Sequence, residues 1–199
     1  MERRGRKSQK AKIMKNLKGH ALISTSEAKQ IGISNLQLHR LAIDKKIIRM
    51  GSGLYYNPNS SLYGVDLEYA VACRRLGPES ALGGLTALFH YQLTEEVPGQ
   101  IWALVTTSAR PRIKEYRIFR TSVPLNIEIE NHKYYRMVTV ERALLEALKY
   151  ASKIGLDTAL GSIRKALREK ITTLTKLENA ATRLKMKKYV VKHWEAIIS

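Results

Sequence analysis

The sequence predicts an α+β protein with two parts: a small N-terminal domain over residues 1–58 and a mixed α/β domain over residues 59–199, with a small sheet and a helical end. Short helical patterns alternate with short strand-like runs, and glycine, proline and asparagine separate them. The 199 residues suffice for one large domain or two small ones, and a hydrophobic content of 44% suffices for a buried core.

The charge is concentrated at the two ends of the chain. Its formal net value is +18, from 35 Lys and Arg against 17 Asp and Glu. Residues 1–56 carry a net +10, residues 57–149 a net +1, and residues 150–199 a net +7. A protein this basic usually has a polyanionic partner, so the charge favours nucleic acid. The alternative is a set of lysine-rich helices with solvated faces.

The composition also excludes several classes of protein. The one cysteine, Cys73, permits neither an internal disulfide nor a cysteine-rich zinc site, and it favours a reducing compartment. No run of about 18 apolar residues occurs, so no membrane-spanning helix is expected. The basic N-terminus is not followed by an apolar segment, so it is not a secretory signal. We therefore expect a cytoplasmic protein without a membrane partner.

The N-terminal domain begins with three predicted helices. The first covers residues 8–19, with Ser8 as its cap. The second begins with Thr25 or Ser26 as its cap and breaks at Gly32, and Ser34 caps the third.

A β-hairpin is predicted after the third helix. Its strands are Ile47–Met50 and Leu54–Tyr56, and its turn is Gly51-Ser52-Gly53. Three helices followed by a two-stranded wing predict a winged helix-turn-helix, in which the third helix enters the major groove of DNA.

The outer face of this third helix carries side chains that suit base edges. Asn35 and Gln37 suit adenine, Arg40 suits guanine, and Leu36 suits the methyl group of thymine. Ser34 and His39 are the other residues of this helix that are expected to bind DNA. Phosphate contacts are expected from Lys45, Lys46, Arg49 and Ser52 at the wing. The basic arm is expected along the backbone or in a minor groove, and it comprises Arg3, Arg4, Arg6 and Lys7.

The middle of the chain predicts two helices, several strands and a third helix. Asp66 is expected to cap the first helix and Ser80 the second, with Phe89 facing inward. Thr139 is expected to cap the third. The strand-like runs are Ile101–Thr107, Tyr116–Thr121, Asn126–Glu130 and Tyr134–Val138.

The C-terminal end predicts three further helices. The first is capped by Asp157, the second lies near residues 175–184, and the last begins near Lys188 and has Trp194 on its apolar stripe. Their basic side chains have three open interpretations: phosphate contacts on promoter DNA, contacts with RNA or an acidic protein, or a solvated face. These side chains are Arg164, Lys165, Arg168, Lys185, Lys187, Lys188 and Lys192.

No enzyme motif is evident, and neither a cofactor nor a metal ion is expected. The five histidines lack metal-ligand spacing, and no phosphate-binding or nucleophile motif occurs. One pattern keeps a metal-dependent nuclease as an alternative. Glu128 and Glu130 would share one face of a strand, and a carboxylate pair with a nearby lysine, here Lys133, resembles the metal site of a nuclease. A basic adaptor that binds RNA or a protein is a third possibility.

Five segments occur in an order that is typical of one family. They are SEAKQIGIS at 26–34, GLYY at 53–56, GPESALGGLTALFHYQL at 77–93, IWALVTT at 101–107 and MVTVERALLEAL at 137–148. In this order the chain resembles the AbiEi-type antitoxins over about residues 8–170. These are transcriptional regulators of bacterial type IV toxin–antitoxin systems linked to abortive infection.

The resemblance implies a winged helix that binds inverted repeats in its own promoter and represses the operon. It also implies a C-terminal domain that counters a nucleotidyltransferase-like toxin without requiring direct contact. By position, the recognition helix is matched by Ser34, Asn35, Gln37, His39 and Arg40. The family often has arginines early in this helix, where this chain has Asn35 and Leu36, so a different operator sequence is expected.

Overall fold

The computed structural model describes residues 12–111 and 113–198. The chain divides into two compact units, the first extending through Val71 and the second beginning at Ala72. The two units are described separately below.

The described residues of the first unit form three helices, a small sheet and the beginning of a fourth helix. Residues 12–17 are helical and form α1. The elements that follow are β1 (Leu22–Ser24), α2 (Thr25–Gln30), α3 (Asn35–Ile43), β2 (Ile48–Arg49) and β3 (Leu54–Tyr56). The predicted helices and hairpin therefore occur in the expected order, and β1 is an additional element that was not predicted.

The added strand completes an antiparallel sheet in the order β1-β3-β2. Leu22 pairs with Tyr56 on one side of β3, and Ile48 pairs with the same residue on the other side. The sheet packs on a core that draws one face from each helix. This core contains Ile13, Leu17, Ile23, Ala28, Ile33, Leu38, Leu41, Ile47 and Tyr55.

The helix α4 (Gly64–Leu76) begins in the first unit and ends in the second, which contains the remaining strands and helices. The strands of the second unit are β4 (Ala81–Leu82), β5 (Ile101–Thr106), β6 (Tyr116–Thr121), β7 (Ile129–Asn131) and β8 (Arg136–Val138). Its helices are α5 (Gly84–His90), α6 (Val140–Lys149), α7 (Ala151–Ile154), α8 (Leu156–Arg168), α9 (Leu174–Arg183), α10 (Lys187–Lys192) and α11 (Trp194–Ile198).

These strands form one mixed sheet in the order β6-β5-β4-β8-β7. The short strand β4 is central, and it pairs antiparallel with β5 and parallel with β8. The remaining pairs are parallel between β5 and β6 and antiparallel between β7 and β8. The protein is thus a mixed α+β structure with small sheets and many helices.

The prediction that Ser80 caps a helix is wrong. Ala81 and Leu82 form β4, and the helix begins two residues later with Gly83 at its cap position. The Ser80 hydroxyl instead donates to the carbonyl of Gly77 at 2.6 Å. Gly84 has a φ of +54°, and a Cβ there would lie 2.7 Å from Cε3 of Trp102. The two glycines therefore allow the chain to turn from strand to helix against β5.

Other predicted helix starts are shifted by one to three residues. Ser24, rather than Thr25 or Ser26, caps α2. Asp66 and Asp157 lie within the first turns of α4 and α8 and do not cap them. The prediction for Thr139 is confirmed, because its side chain accepts a hydrogen bond from the Arg142 amide at the start of α6.

Two aromatic side chains are less buried than expected. Phe89 is 37% exposed, so its assignment to the core is wrong. Trp194 is half-buried and lines a cavity. None of the helices in the described residues has the length and apolar character that crossing a bilayer requires.

Candidate nucleic-acid interface

A capping box fixes the start of each of the two helices α2 and α3. Ser24 and Glu27 close the first, and Ser34 and Gln37 close the second. Gly32, with a φ of +76°, provides the turn between them, and the amide of the next residue donates to the carbonyl of Ala28 at 2.8 Å. This hydrogen bonding fixes the start of α3 relative to α2.

The outer face of α3 is exposed along its length. Asn35, Leu36, His39, Arg40 and Ile43 are all exposed and follow the helical repeat on one side, opposite the buried core face. All of these side chains except Ile43 belong to the set that was predicted to contact DNA bases. Leu36 is 57% exposed and Ile43 is 66% exposed, so the centre of this face is apolar.

The predicted base contact by Gln37 conflicts with its position in the helix. Its Oε1 accepts a hydrogen bond from the backbone amide of Ser34 at 2.8 Å, and its own amide donates to the Ser34 hydroxyl at 3.3 Å. A bidentate contact with adenine requires both amide atoms of the side chain. In this conformation Gln37 stabilises the start of the helix instead.

A basic segment leads from α3 into the hairpin. Lys45 has a φ of +53°, and the amide of Lys46 donates to the Leu41 carbonyl at 2.9 Å, which ends the helix. The buried side chain of Ile47 then anchors the chain. Lys45 and Lys46 remain exposed, as does Arg49 on β2, so these three cations lie along the path from helix to hairpin.

The tip of the hairpin is attached to the start of α2. The Thr25 amide donates to the carbonyl of Gly53 at 2.9 Å, and a Cβ on that glycine would lie 3.0 Å from Oγ1 of Thr25. Ser52, at the tip, is exposed with a φ of +42°. The hairpin therefore has a fixed position beside the helices of its unit.

Two exposed apolar side chains of this surface were not predicted. The first is Ile43, which follows Leu36 by seven residues. Extending the predicted third helix to residue 43 would have placed Ile43 on the same face as Leu36. The second is Ile48, on β2, which is 48% exposed.

The predicted basic arm of Arg3, Arg4, Arg6 and Lys7, together with the expected cap Ser8, lies outside the described residues.

The proposed carboxylate pair of the nuclease hypothesis is not formed. Glu128 lies before β7 with a φ of +52°, so it does not share a strand face with Glu130. It pairs with Arg183 and accepts a hydrogen bond from the Thr139 hydroxyl at 2.8 Å. Within residues 12–111 and 113–198, no group of three or more His, Cys, Asp or Glu is placed to hold a metal ion.

The C-terminal basic side chains are distributed over several features of the second unit. Arg164 donates twice to the Ala196 carbonyl, at 2.9 and 2.7 Å, near the end of α11. Lys165 and Arg168 line a cavity beside Ser162. Lys187 and Lys192 line a different cavity, and Lys188 lies over the ring of Tyr189. Lys185 is exposed with a φ of +57° in the link before α10.

The fold and these surfaces define a mixed α+β protein with exposed basic side chains in both units. No protein-family model matches the chain, and no curated protein matches it. The structure is similar to the crystal structure of the RV2827C protein from Mycobacterium tuberculosis, with a TM-score of 0.59 and 11% sequence identity. The similarity covers 86% of this chain and 70% of that chain, and at this identity it concerns the fold alone.

Proposed function

We propose that this protein is a sequence-specific DNA-binding transcriptional repressor that acts as the antitoxin of a type IV toxin–antitoxin system and regulates its own operon. One observation carries the DNA-binding part: the exposed face of α3 adjoins a basic link and a hairpin in the same unit. This arrangement supports the interpretation of the first unit as a winged helix-turn-helix, with α3 as the recognition helix.

Within this proposal, α3 enters the major groove and its exposed side chains meet base edges. Arg40 donates to guanine, Asn35 contacts adenine, and Leu36 packs on the methyl group of thymine. Phosphates are contacted by the strongly hydrated ammonium groups of Lys45 and Lys46 and by the forked guanidinium group of Arg49. Because an inverted repeat presents two half-sites, each operator receives two copies of the first unit.

The antitoxin part rests on the order of sequence segments shared with the AbiEi-type family. It implies a nucleotidyltransferase-like toxin that is encoded beside this gene and countered without requiring direct contact. The cytoplasm, where promoter DNA is found, is the proposed location.

DNA retention by the purified protein tests the repressor part. Fluorescence anisotropy with the DNA upstream of its gene should show tighter binding than with a shuffled duplex of equal length. Affinity should fall steeply between low and physiological salt, because bound phosphates release counterions. Equal affinity for both duplexes would contradict a sequence-specific repressor.

Co-expression tests the antitoxin part separately. The neighbouring reading frame is induced in a heterologous host, with or without this gene under an unrelated promoter. Growth arrest that this gene relieves supports the antitoxin assignment. If a neighbouring nucleotidyltransferase-like frame arrests growth and this gene gives no relief, the antitoxin part is wrong and the repressor part stands on its own result.

A further inference from the structure

The second unit contains a cavity of about 1020 Å³ that is lined by residues of α9, α10 and α11. Ligand sites in proteins commonly have volumes on the order of 300–1000 Å³, so this opening has the size of a small-molecule site. It is separate from the DNA-contacting surface proposed for the first unit, and the proposed function does not use it.

Two lysines from the ends of α10 line this cavity. Lys187 is the first residue of that helix and Lys192 the last, and both are exposed. Neither forms an ion pair with a residue of the described chain. Their ammonium groups are therefore available to an anionic ligand that carries charge at more than one point.

One wall of the cavity is apolar and aromatic. Trp194, the first residue of α11, lines it together with Val190 and Val191. Val191 is 74% exposed and Trp194 is half-buried. A flat ring that enters the cavity would gain both apolar contact and stacking on the indole, which is typical of aromatic side chains that bind bases.

The part of the lining that comes from α9 provides hydrogen-bonding groups. Its residues are Glu178, Asn179 and Thr182. The Thr182 hydroxyl donates to the Glu178 carbonyl at 2.9 Å, which leaves its oxygen free to accept. The side chains of Glu178 and Asn179 make no hydrogen bond to another residue of the described chain, so they can meet hydroxyl and amino groups of a ligand.

We propose that this cavity binds a nucleotide. The phosphates lie near Lys187 and Lys192, the base packs beside Trp194, and Glu178 and Asn179 meet ribose hydroxyls or base edges. A nucleotide combines several negative charges, a flat ring and hydrogen-bond donors. A free mononucleotide and the terminal nucleotide of a single strand share this chemistry.

Tryptophan fluorescence provides the measurement. The chain has two tryptophans, and Trp102 is only 8% exposed and stacked against Phe119, so quenching by a ligand reports on Trp194. The full-length protein is titrated with ATP, GTP, CTP and UTP. The Trp194→Phe variant should lose the quenching signal. Isothermal titration calorimetry then gives the nucleotide affinity of the wild type and of this variant.

Charge-matched variants identify the site. Lys187→Gln with Lys192→Gln should weaken nucleotide binding at least tenfold. Lys170→Gln with Lys176→Gln, which removes two exposed lysines outside this cavity, should change it less than twofold. Thermal unfolding of both double variants checks that each remains folded. Equal weakening by the two pairs would overturn the proposal, because binding would then follow net charge alone.

The choice of ligands separates the possible sources. Tighter binding of a 5′-phosphorylated single-stranded RNA hexamer than of ATP would assign the site to a strand end, and the reverse would assign it to the free nucleotide. Inorganic triphosphate that binds as tightly as ATP would overturn the proposal, as would the absence of any nucleotide binding at about 1 mM. Arg40→Ala, which tests the DNA-binding proposal, leaves this cavity intact, so the two proposals fail independently.

Discussion

Arg142 and Glu146 form an ion pair inside the second unit, with Nε donating to Oε1 at 2.8 Å across one turn of α6. Their side chains are 0% and 1% exposed. Arg142 also donates to the carbonyls of Pro124 and Ile127, so it holds the segment before β7 against the helix. Burial raises the pKa of Glu146, while the neighbouring guanidinium opposes that rise.

Removal of one partner of this pair should destabilise the protein strongly. Arg142→Ala leaves a buried carboxyl group without its cation and frees two carbonyls, and we expect a loss of about 3–5 kcal/mol in the free energy of unfolding. Arg142→Met with Glu146→Leu removes both charges and keeps the volume, so it should regain most of that loss. Urea denaturation measures both, and a double variant as unstable as the single one would contradict this account.

Two glycines should respond in opposite ways to alanine. Gly84→Ala places a methyl group 2.7 Å from Trp102 at a positive φ, so we expect a loss of at least about 2 kcal/mol. Gly161 lies in α8, and a Cβ there meets nothing within 4 Å. Gly161→Ala should therefore stabilise the protein by about 0.5–1 kcal/mol. Urea denaturation of each variant provides the comparison, and a stable Gly84→Ala would show that β5 adjusts to the added methyl group.

Under the DNA-binding proposal, Arg40 and Lys45 should have different roles on DNA. Arg40→Ala should cost about 1–3 kcal/mol on the operator and much less on shuffled DNA, because a base contact is lost. Lys45→Ala should weaken both duplexes to a similar extent and reduce the salt dependence, because a phosphate contact is lost. Lys29→Ala, which changes an exposed lysine on α2, is the matched control. Unchanged discrimination in Arg40→Ala would show that α3 is not the recognition helix.

Gln37 should act on stability through its capping box. Gln37→Ala removes the acceptor for the Ser34 amide and should cost about 0.5–1 kcal/mol. Gln37→Glu retains that acceptor at the third helical position and should keep the wild-type stability. Thermal unfolding of the two variants tests this. A similar loss in both would mean that the Oε1 contact at 2.8 Å contributes little.

Alkaline pH should weaken the fold partly through Tyr150. Burial raises the pKa of its phenol from 10.0 to about 12. Above pH 10 the unfolded chain releases this proton while the folded chain retains it, so the stabilisation present below pH 10 is lost as the pH rises toward 12. Tyr150→Phe should therefore lose less stability than wild type over this interval, as urea midpoints at several pH values would show. Tyr63→Phe, at a site that is 76% exposed, should behave like wild type.

The sequence predicted the elements that have strong local signals. The run Tyr116–Thr121 is a strand with the predicted bounds, and the Thr139 cap begins α6 as expected. In α3, the predicted outer face is the exposed one, and Leu38 and Leu41 on the opposite side are buried. These patterns lie within single elements, so they do not depend on distant partners.

The remaining features depend on tertiary contacts. The strands β1 and β4 have three and two residues, too few for a period to be recognised, and they exist because β3, β5 and β8 pair with them. Glu128 belongs to a carboxylate pattern in the sequence, but Arg183 and Thr139 engage it from distant positions. The cavity beside Trp194 likewise forms only when three helices meet.

The central place of β4 has a consequence for the order in which the chain folds during synthesis. The strand pairs of the first unit all join residues between Leu22 and Tyr56, so its sheet can close early. The five-stranded sheet joins Leu82 to Met137, so its two halves remain separate until the chain through β8 has left the ribosome. The N-terminal unit can therefore be folded while the second unit is still incomplete.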